Sequence, residues 1–222
     1  MPANMKYKQN GSATYIQDNS AKYKQPIPIN EEIILNPKKF IMSKTDPQGI
    51  IKYCNEYFIK INGYKESELI GSPHNIIRHP DMPKIIFKLM WGRLENRKKL
   101  CALVKNLSKN GKYYWVMTNF DTKIKKNTKK PIEYIAYRKA APKQAVIQIE
   151  QLYKKLVEIE KQRGMKGSEK YLRGFLEERE QTYDEFIDEI TLNNKHIKFW
   201  FKSMKKFFSS KNYDKISQDR LS

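Results

Sequence analysis

Apolar and polar positions change period several times between Phe40 and Arg138, and the changes predict an α+β domain. Phe40–Ser43 and Ile50–Tyr53 read as short strands on either side of Asp46-Pro47-Gln48-Gly49, a turn with Pro in its second position and Gly closing it. Asn55 leads into a short helix, Glu56–Ile61, with Phe58 and Ile61 on one face. Asn62-Gly63 ends that helix with residues that tolerate left-handed backbone. Ser67–Leu69 makes one more helical turn before Gly71. From Pro83 to Asn96, Ile86, Leu89, Met90 and Leu94 share one helical face. Leu100–Leu107, Lys112–Lys123 and Pro131–Arg138 then read as strands. Asn110-Gly111 is the hairpin signal between the first pair, and Lys125–Lys130 is a Lys-rich loop between the second. This order predicts one five-stranded antiparallel sheet with helices on one face, over roughly 110 residues, long enough for a core of its own.

The stretch Gly71–Pro83, GSPHNIIRHPDMP, interrupts these patterns. Pro73, Pro80 and Pro83 fix φ and remove donors, so it cannot be one continuous helix. It is expected to be a rigid connector that sets the directions of Arg78, His79 and Asp81 beside the apolar run Ile85, Ile86, Phe87, Leu89, Met90 and Trp91. That suits the rim of a ligand pocket. It equally suits a structural loop in which Asp81 caps the next helix and Pro83 lies in its first turn.

Beyond Pro142 the period is helical. Ala145, Ile149, Leu152, Leu156 and Ile159 are spaced four-three-four-three, and Gly164 and Gly167 break the run. A second helix is expected over Ser168–Ile190, with Leu172, Phe175, Tyr183, Phe186 and Ile190 on one face and an acidic outer face that includes Glu177, Glu180, Asp184 and Glu189. The pair reads either as a partner-binding bundle half, open to self-association through 145–190, or as helices packed on each other and on the sheet domain. In the tail, Lys195–Ser222, Ile197, Trp200, Phe201, Met204, Phe207 and Phe208 oppose Lys198, Lys202, Lys205 and Lys206. Such a basic amphipathic segment, 196–208, suits an anionic membrane surface or docking on the acidic helix. The expected units are therefore a flexible arm 1–30, an α+β domain 31–140, a helical extension 141–194 and a basic tail 195–222.

Composition narrows the classes. The formal net charge is +20 at pH 7 and hydrophobic residues make up 39% of the 222. The basic balance raises nucleic acid and anionic membrane as partners. No recognition-helix or RNA-binding motif accompanies it, so nucleic acid is not the expected partner. No run approaches the ~20 apolar residues of a membrane span. The first residues lack the apolar region of a secretion signal, and Cys54 and Cys101 read as free thiols, so a cytoplasmic protein is expected. His74 and His79 stand five apart across prolines with no third ligand spaced for a metal, and no phosphate loop or nucleophile–base set is present. An enzyme is not expected.

Several separated motifs resemble one family. The strand-turn-strand followed by Asn55-x-x-Phe58, the run from Asn62-Gly63-Tyr64 through Glu68-Leu69 to Pro73-His74-Asn75 and Arg78-His79-Pro80-Asp81-Met82-Pro83, and the hairpin Val104-Lys105-Asn106…Lys109-Asn110-Gly111-x-Tyr113-Tyr114-Trp115-Val116 together resemble a PAS domain. The resemblance is to the Aer type found in bacterial energy-taxis (aerotaxis) sensors. It covers about Glu31–Ala140, half the chain. Glu150-Gln151-Leu152-Tyr153-Lys154-Lys155-Leu156 also looks like the helix that follows the sensor, and the lack of a span resembles the soluble, split CetB-like form.

The resemblance implies a redox sensor for chemotaxis signalling. It would bind FAD non-covalently in the PAS pocket and act with a membrane-bound, chemoreceptor-type signalling partner. By motif position the implied cofactor-binding residues are Asn55, Phe58, Arg78, His79, Asp81, Trp91, Asn106 and Trp115, with Phe87 in the wall beside Phe58, Trp91 and Trp115. Leu100 stands where the family usually has a Trp before Val-Lys-Asn. The Cys that makes flavin adducts in photoactive relatives has no counterpart in the connector, so no adduct photochemistry is expected. The alternatives are a PAS interaction module without flavin or with haem, or a basic protein binding nucleic acid or a membrane surface.

Overall fold

A computed structural model describes residues 25–96, 100–125, 127–128 and 130–191. Five antiparallel strands, β1 Ile41–Thr45, β2 Ile51–Cys54, β3 Cys101–Leu107, β4 Tyr113–Ile124 and β5 Pro131–Ala140, form one sheet in the order β2-β1-β5-β4-β3. Among the described residues five α-helices accompany them: α1 Glu56–Asn62, α2 Glu66–Leu69, α3 Lys84–Glu95, α4 Lys143–Glu177 and α5 Tyr183–Thr191. The turn between β1 and β2 forms because the Asp46 carboxylate accepts from the backbone N–H of Gln48 and Ile50 at 3.0 and 2.9 Å. The expected α+β architecture is present, with strand ends one or two residues from their predicted bounds.

Register decides which side chains meet. Ile41, Ser43 and Thr45 lie opposite Arg138, Ala136 and Tyr134, which in turn lie opposite Thr118, Phe120 and Thr122. On the other side of β4, Tyr114, Val116 and Thr118 pair with Asn106, Val104 and Ala102. Directly paired residues share a face. Ser43, Arg138, Thr118, Tyr114 and Asn106 therefore point the same way, toward α1, whose Asn62 Oδ1 accepts from the Tyr114 hydroxyl at 2.8 Å. Leu103, Lys105, Trp115 and Met117 point to the opposite face.

That opposite face is covered by α4. Ala145, Ile149, Leu152 and Leu156 of the four-three-four-three seam are all buried. The Trp115 ring stacks on Tyr153, centroids 6.2 Å apart, and the Tyr153 hydroxyl donates to the Leu103 carbonyl at 2.9 Å. Of the two readings of the helical extension, packing on the sheet domain is the one realised, and the seam is occupied within the chain. Gly164 breaks α4 as expected, with φ 65 and ψ −175. Gly167 does not: it is helical, and a Cβ there would lie 2.6 Å from Arg163 Cβ across the kink.

Three expectations change. The second helix is not continuous over 168–190, because α4 stops at Glu177 and α5 restarts at Tyr183. The restart is a capping box: the Thr182 N–H and hydroxyl both donate to the Glu185 carboxylate at 2.7 Å, and the Glu185 N–H returns to Thr182 Oγ1 at 3.3 Å. The connector carries a 3-10 turn, His74–Ile77, in place of plain loop. The end of the arm is pinned at Ile29, whose N–H donates to the Gly111 carbonyl at 2.9 Å, and just beyond it the Ile33 N–H donates to the Tyr113 carbonyl at 2.7 Å. The basic tail and the first part of the arm lie outside the described residues.

The backbone of Gly164 falls in a region almost closed to side chains. Gly164→Ala should lower the unfolding free energy by ~1–3 kcal/mol. Urea denaturation checks this, and an unchanged midpoint would show that the kink carries no such constraint.

Candidate functional site

The face toward α1 holds an unusual group of polar side chains. Arg138, on β5, is 3% exposed. Its guanidinium donates to Ser43 Oγ on β1 at 2.9 Å and to His74 Nε2 in the 3-10 turn at 2.9 Å, with a longer contact of 3.5 Å to the Ala136 carbonyl. Phe58 of α1 lies beneath it, ring centroid 5.9 Å away, and meets His74 edge-on. Ser43 Oγ also stands 3.1 Å from His74 Nε2. Because Arg138 can only donate, His74 accepts at Nε2 and is neutral. Burial, with the Arg138 charge adding to it, pushes His74 down to about 3. Burial also lowers Arg138 to about 10.

Beside this group Thr118 Oγ1 on β4 is buried with no hydrogen-bond partner, and the buried Asn106 Nδ2 on β3 has only a weak interaction with the neighbouring Tyr114 phenol. Thr118 is the cross-strand partner of both Arg138 and Ala102, and Asn106 is the partner of Tyr114. A buried polar atom left unpaired costs about 1–3 kcal/mol, so one such atom and a weakly paired one on the same face point to a ligand with polar edges. A flavin ring fits that donor set. Its carbonyl and ring-nitrogen edge can accept from the Asn106 amide and exchange with the Thr118 hydroxyl, while its flat faces need apolar and aromatic neighbours such as Phe58.

The sequence-predicted site residues divide into groups. Phe58 and Asn106 are in this face. Trp91 is at its rim, edge-on to Tyr134 at 5.5 Å and against the β1–β2 turn, where a Cβ on Gly49 would sit 3.4 Å from the indole. Arg78 is at the β3 edge, where its backbone bridges to Asn106. Its side chain donates to the Met82 carbonyl at 3.0 Å and stacks on Phe87 at 4.0 Å. Asn55 is committed to the backbone: Oδ1 accepts from Met42 and Phe58 N–H, and Nδ2 donates to the Phe40 carbonyl, so it caps α1 and anchors β1. Trp115, His79 and Asp81 lie with Lys105 on the side covered by α4. The strand alternation that brings Asn106 inward turns Trp115 away, so the expected pocket wall of Phe58, Phe87, Trp91 and Trp115 does not close as one set. Leu100, where a Trp was looked for, is buried.

The outer group forms a relay of charges. Lys105 Nζ donates to Asp81 Oδ2 at 2.8 Å, stands 3.7 Å from Glu150 of α4 and covers the Tyr113 ring at 4.3 Å. Burial of Asp81 opposes its charge, but the Lys105 hydrogen bond and charge outweigh this and lower its pKa. The Asp81 N–H donates to His79 Nδ1 at 3.1 Å, so His79 is neutral as well. Burial, and then Lys105, push it down to about 4 against the pull of Asp81. Further along α4, Glu160 accepts from the free N–H groups of Lys84 and Ile85, both at 2.8 Å, capping α3 from outside. Lys88 pairs with Glu169 and Arg93 with Asp184. Burial pushes the Cys54 thiol up to about 12, in keeping with a packing role.

Sequence reasoning missed Arg138, Ser43 and Thr118 and gave His74 no part. The available signal at Arg138 was a charged residue falling in the same every-second-position series as the uncharged Tyr134 and Ala136. Which face was buried could not be read without the register.

Residues 51–138 match the family model described as the PAS fold. The aerotaxis receptor of Escherichia coli (strain K12) is 40% identical over 116 residues, covering 52% of this chain and 22% of that receptor, so the chain spans 22% of the relative's length. Among solved structures, the PAS domain of a protein from Colwellia psychrerythraea is 22% identical, with a TM-score of 0.43, covering 46% of this chain and 86% of that one. The light-state LOV domain of the blue-light photoreceptor Aureochrome1 is 11% identical, also at 0.43, covering 53% and 88%.

The neutral histidines make stability depend on pH. The unfolded chain protonates His near 6.5, while folded His74 and His79 wait until about 3 and about 4. In that window the unfolded state binds more protons, so stability present above 6.5 is lost as pH falls, at about 1.4 kcal/mol per pH unit for each His. Urea unfolding at neutral and mildly acidic pH should show this loss, and His74→Gln should shrink the difference. Equal stability at both values would overturn the neutral assignment.

Proposed function

The chain contains a PAS domain of the Aer type, and from that premise we propose that it is a redox sensor that holds FAD on the α1-facing side of its sheet and signals to a chemoreceptor-type partner. The observation that carries this is the pair of buried, under-satisfied polar atoms, Thr118 Oγ1 with no partner and Asn106 Nδ2 with only a weak one in Tyr114, on the face where Phe58 and Arg138 also converge. The flavin would supply the exchange of electrons with the cell's electron-transport chemistry. The protein's residues hold its polar edge, keep water from it and respond to its charge. No catalytic group is assigned, and the role is signalling.

The response has a short covalent route. Asn106 and Lys105 are neighbours on β3 and point to opposite faces. A change in what the Asn106 amide bonds shifts the strand that positions Lys105, and Lys105 is held between Asp81 of the connector and Glu150 of α4. Only a difference in interaction energy between ligand states can drive that shift. The α4–α5 extension, with its acidic side chains, is where a signalling partner would read the result. Haem is disfavoured by the histidines themselves: His74 Nε2 accepts from Arg138 and the His79 ring packs on Tyr113 on the far side of the sheet. Among the described residues no helix is long and apolar enough to cross a membrane, so a role for the basic tail at the membrane surface is tested by flotation with anionic liposomes, which truncation at Asn194 should abolish.

The purified chain should show flavin absorption that bleaches with dithionite, and a colourless protein that takes up no added FAD would refute the reading. On reduction, hydrogen exchange in α4 should change. Glu150→Gln should weaken that change while leaving the flavin spectrum as it is; an undiminished change would place the route elsewhere.

A further inference from the structure

Arg138 is not explained by the contacts it makes. A guanidinium stays charged in proteins and is costly to remove from water unless a counter-charge or full hydrogen bonding compensates it. Here the partners are Ser43, His74 and the Ala136 carbonyl, all neutral. No described Asp or Glu pairs with it. Burial lowers its pKa to about 10, and the one charge interaction that favours the cation is with the phenol of Tyr114. The same face carries Thr118 Oγ1, unpaired and directly across the ladder from Arg138, and Asn106 Nδ2, whose one neighbour is the Tyr114 phenol. A lone buried cation beside two under-satisfied hydrogen-bonding groups matches a ligand edge that can carry negative charge between hydrogen-bonding atoms.

We propose that Arg138 is an anion anchor: with Asn106 and Thr118 it holds the imide edge of the flavin ring, carbonyl–N–H–carbonyl, and favours the form in which that edge has lost its proton. This rests on the flavin reading above. The step is a simple ionisation, in which the imide nitrogen gives its proton to bulk water and no electron moves. Ser43 and His74 aim the guanidinium and are positioning residues. The groups facing Arg138 from each element are Ser43 on β1, Phe58 and Asn62 on α1, His74 in the 3-10 turn, Thr118 and Tyr114 on β4, and Ala136 on β5. Of these only His74 and Tyr114 titrate. His74 is neutral above about 3 and Tyr114, raised by burial, stays neutral to about 12. From about 3 up to the value of about 10 to which burial lowers Arg138 itself, the guanidinium is the charged group on this face.

The experiment is an alkaline absorbance titration of the FAD-loaded full chain, kept well below the value of about 10 to which burial lowers Arg138, so that the guanidinium stays charged. The bound flavin should ionise at lower pH than free FAD. Arg138→Lys should keep part of the shift. Arg138→Met should abolish it and weaken FAD binding about tenfold or more, the scale of a lost charge-assisted hydrogen bond. The ligand-free Arg138→Met protein should melt no lower than wild type, because Ser43 and His74 can then bond each other and no bare cation is buried. A wild-type transition at or above that of free FAD overturns the anchor while the flavin reading stands. So does an Arg138→Met protein that is less stable without ligand yet shows an unchanged transition. A wild-type chain that binds no FAD ends both. If Arg138→Met does not fold, the wild-type and Arg138→Lys titrations decide.

Discussion

A charged guanidinium kept from water by neutral partners sets the terms for the rest of this domain. Arg138 fixes Ser43 and His74 around it and rests on Phe58, which ties β5, β1, the 3-10 turn and α1 into one unit. The prolines of the connector serve that unit. Pro73 ends the extended backbone just before His74, and the short helical turn brings the imidazole to the sheet. The arrangement is unfavourable for an isolated fold, since hydrophobic residues in place of buried charge often give equal or higher stability. A site of this kind is consistent with a domain whose interior is shaped for something besides its own packing.

The period of a β-strand does the second piece of work. Neighbouring residues on β3 face opposite ways, so Asn106 belongs to the inner group and Lys105 to the outer one. The outer group joins three parts of the chain: Asp81 of the connector, the β3–β4 edge, and Glu150 of α4. Glu160 extends the contact by capping α3. Apart from the buried Lys105, the charges of this group are exposed or half-exposed, and such pairs individually contribute little to stability. Their value lies in position, because they cross-link α4 to the strand that carries Asn106. Tyr153 adds a buried contact of the same kind, stacking on Trp115 and bonding the Leu103 carbonyl.

Much of the fold was legible in the chain. The Asp46–Gly49 turn, the Asn110-Gly111 hairpin, the helical period of α3 and the break at Gly164 all follow from local rules, because turns, caps and amphipathic periods depend on neighbours within a few residues. The interruption before α5 was also local, in the Thr182-x-x-Glu185 capping box, and was passed over because the apolar face of the two helices reads as continuous. Asn55 shows a different failure. Its family motif drew attention to a ligand, while its spacing to Phe58 is that of a helix cap, and the cap consumes the whole amide.

The sequence by itself determined the order of the strands and of the first helices and the family they resemble. Tertiary structure alone decided the rest. It placed Trp115, His79 and Asp81 on the face under α4, brought Arg138 opposite Thr118 and against His74, and turned the α4 seam onto the sheet. The physical reason is that a strand offers two equivalent faces, and which one is buried against which helix is settled by register and crossover. Those are agreements between residues far apart in the chain, and no local pattern contains them.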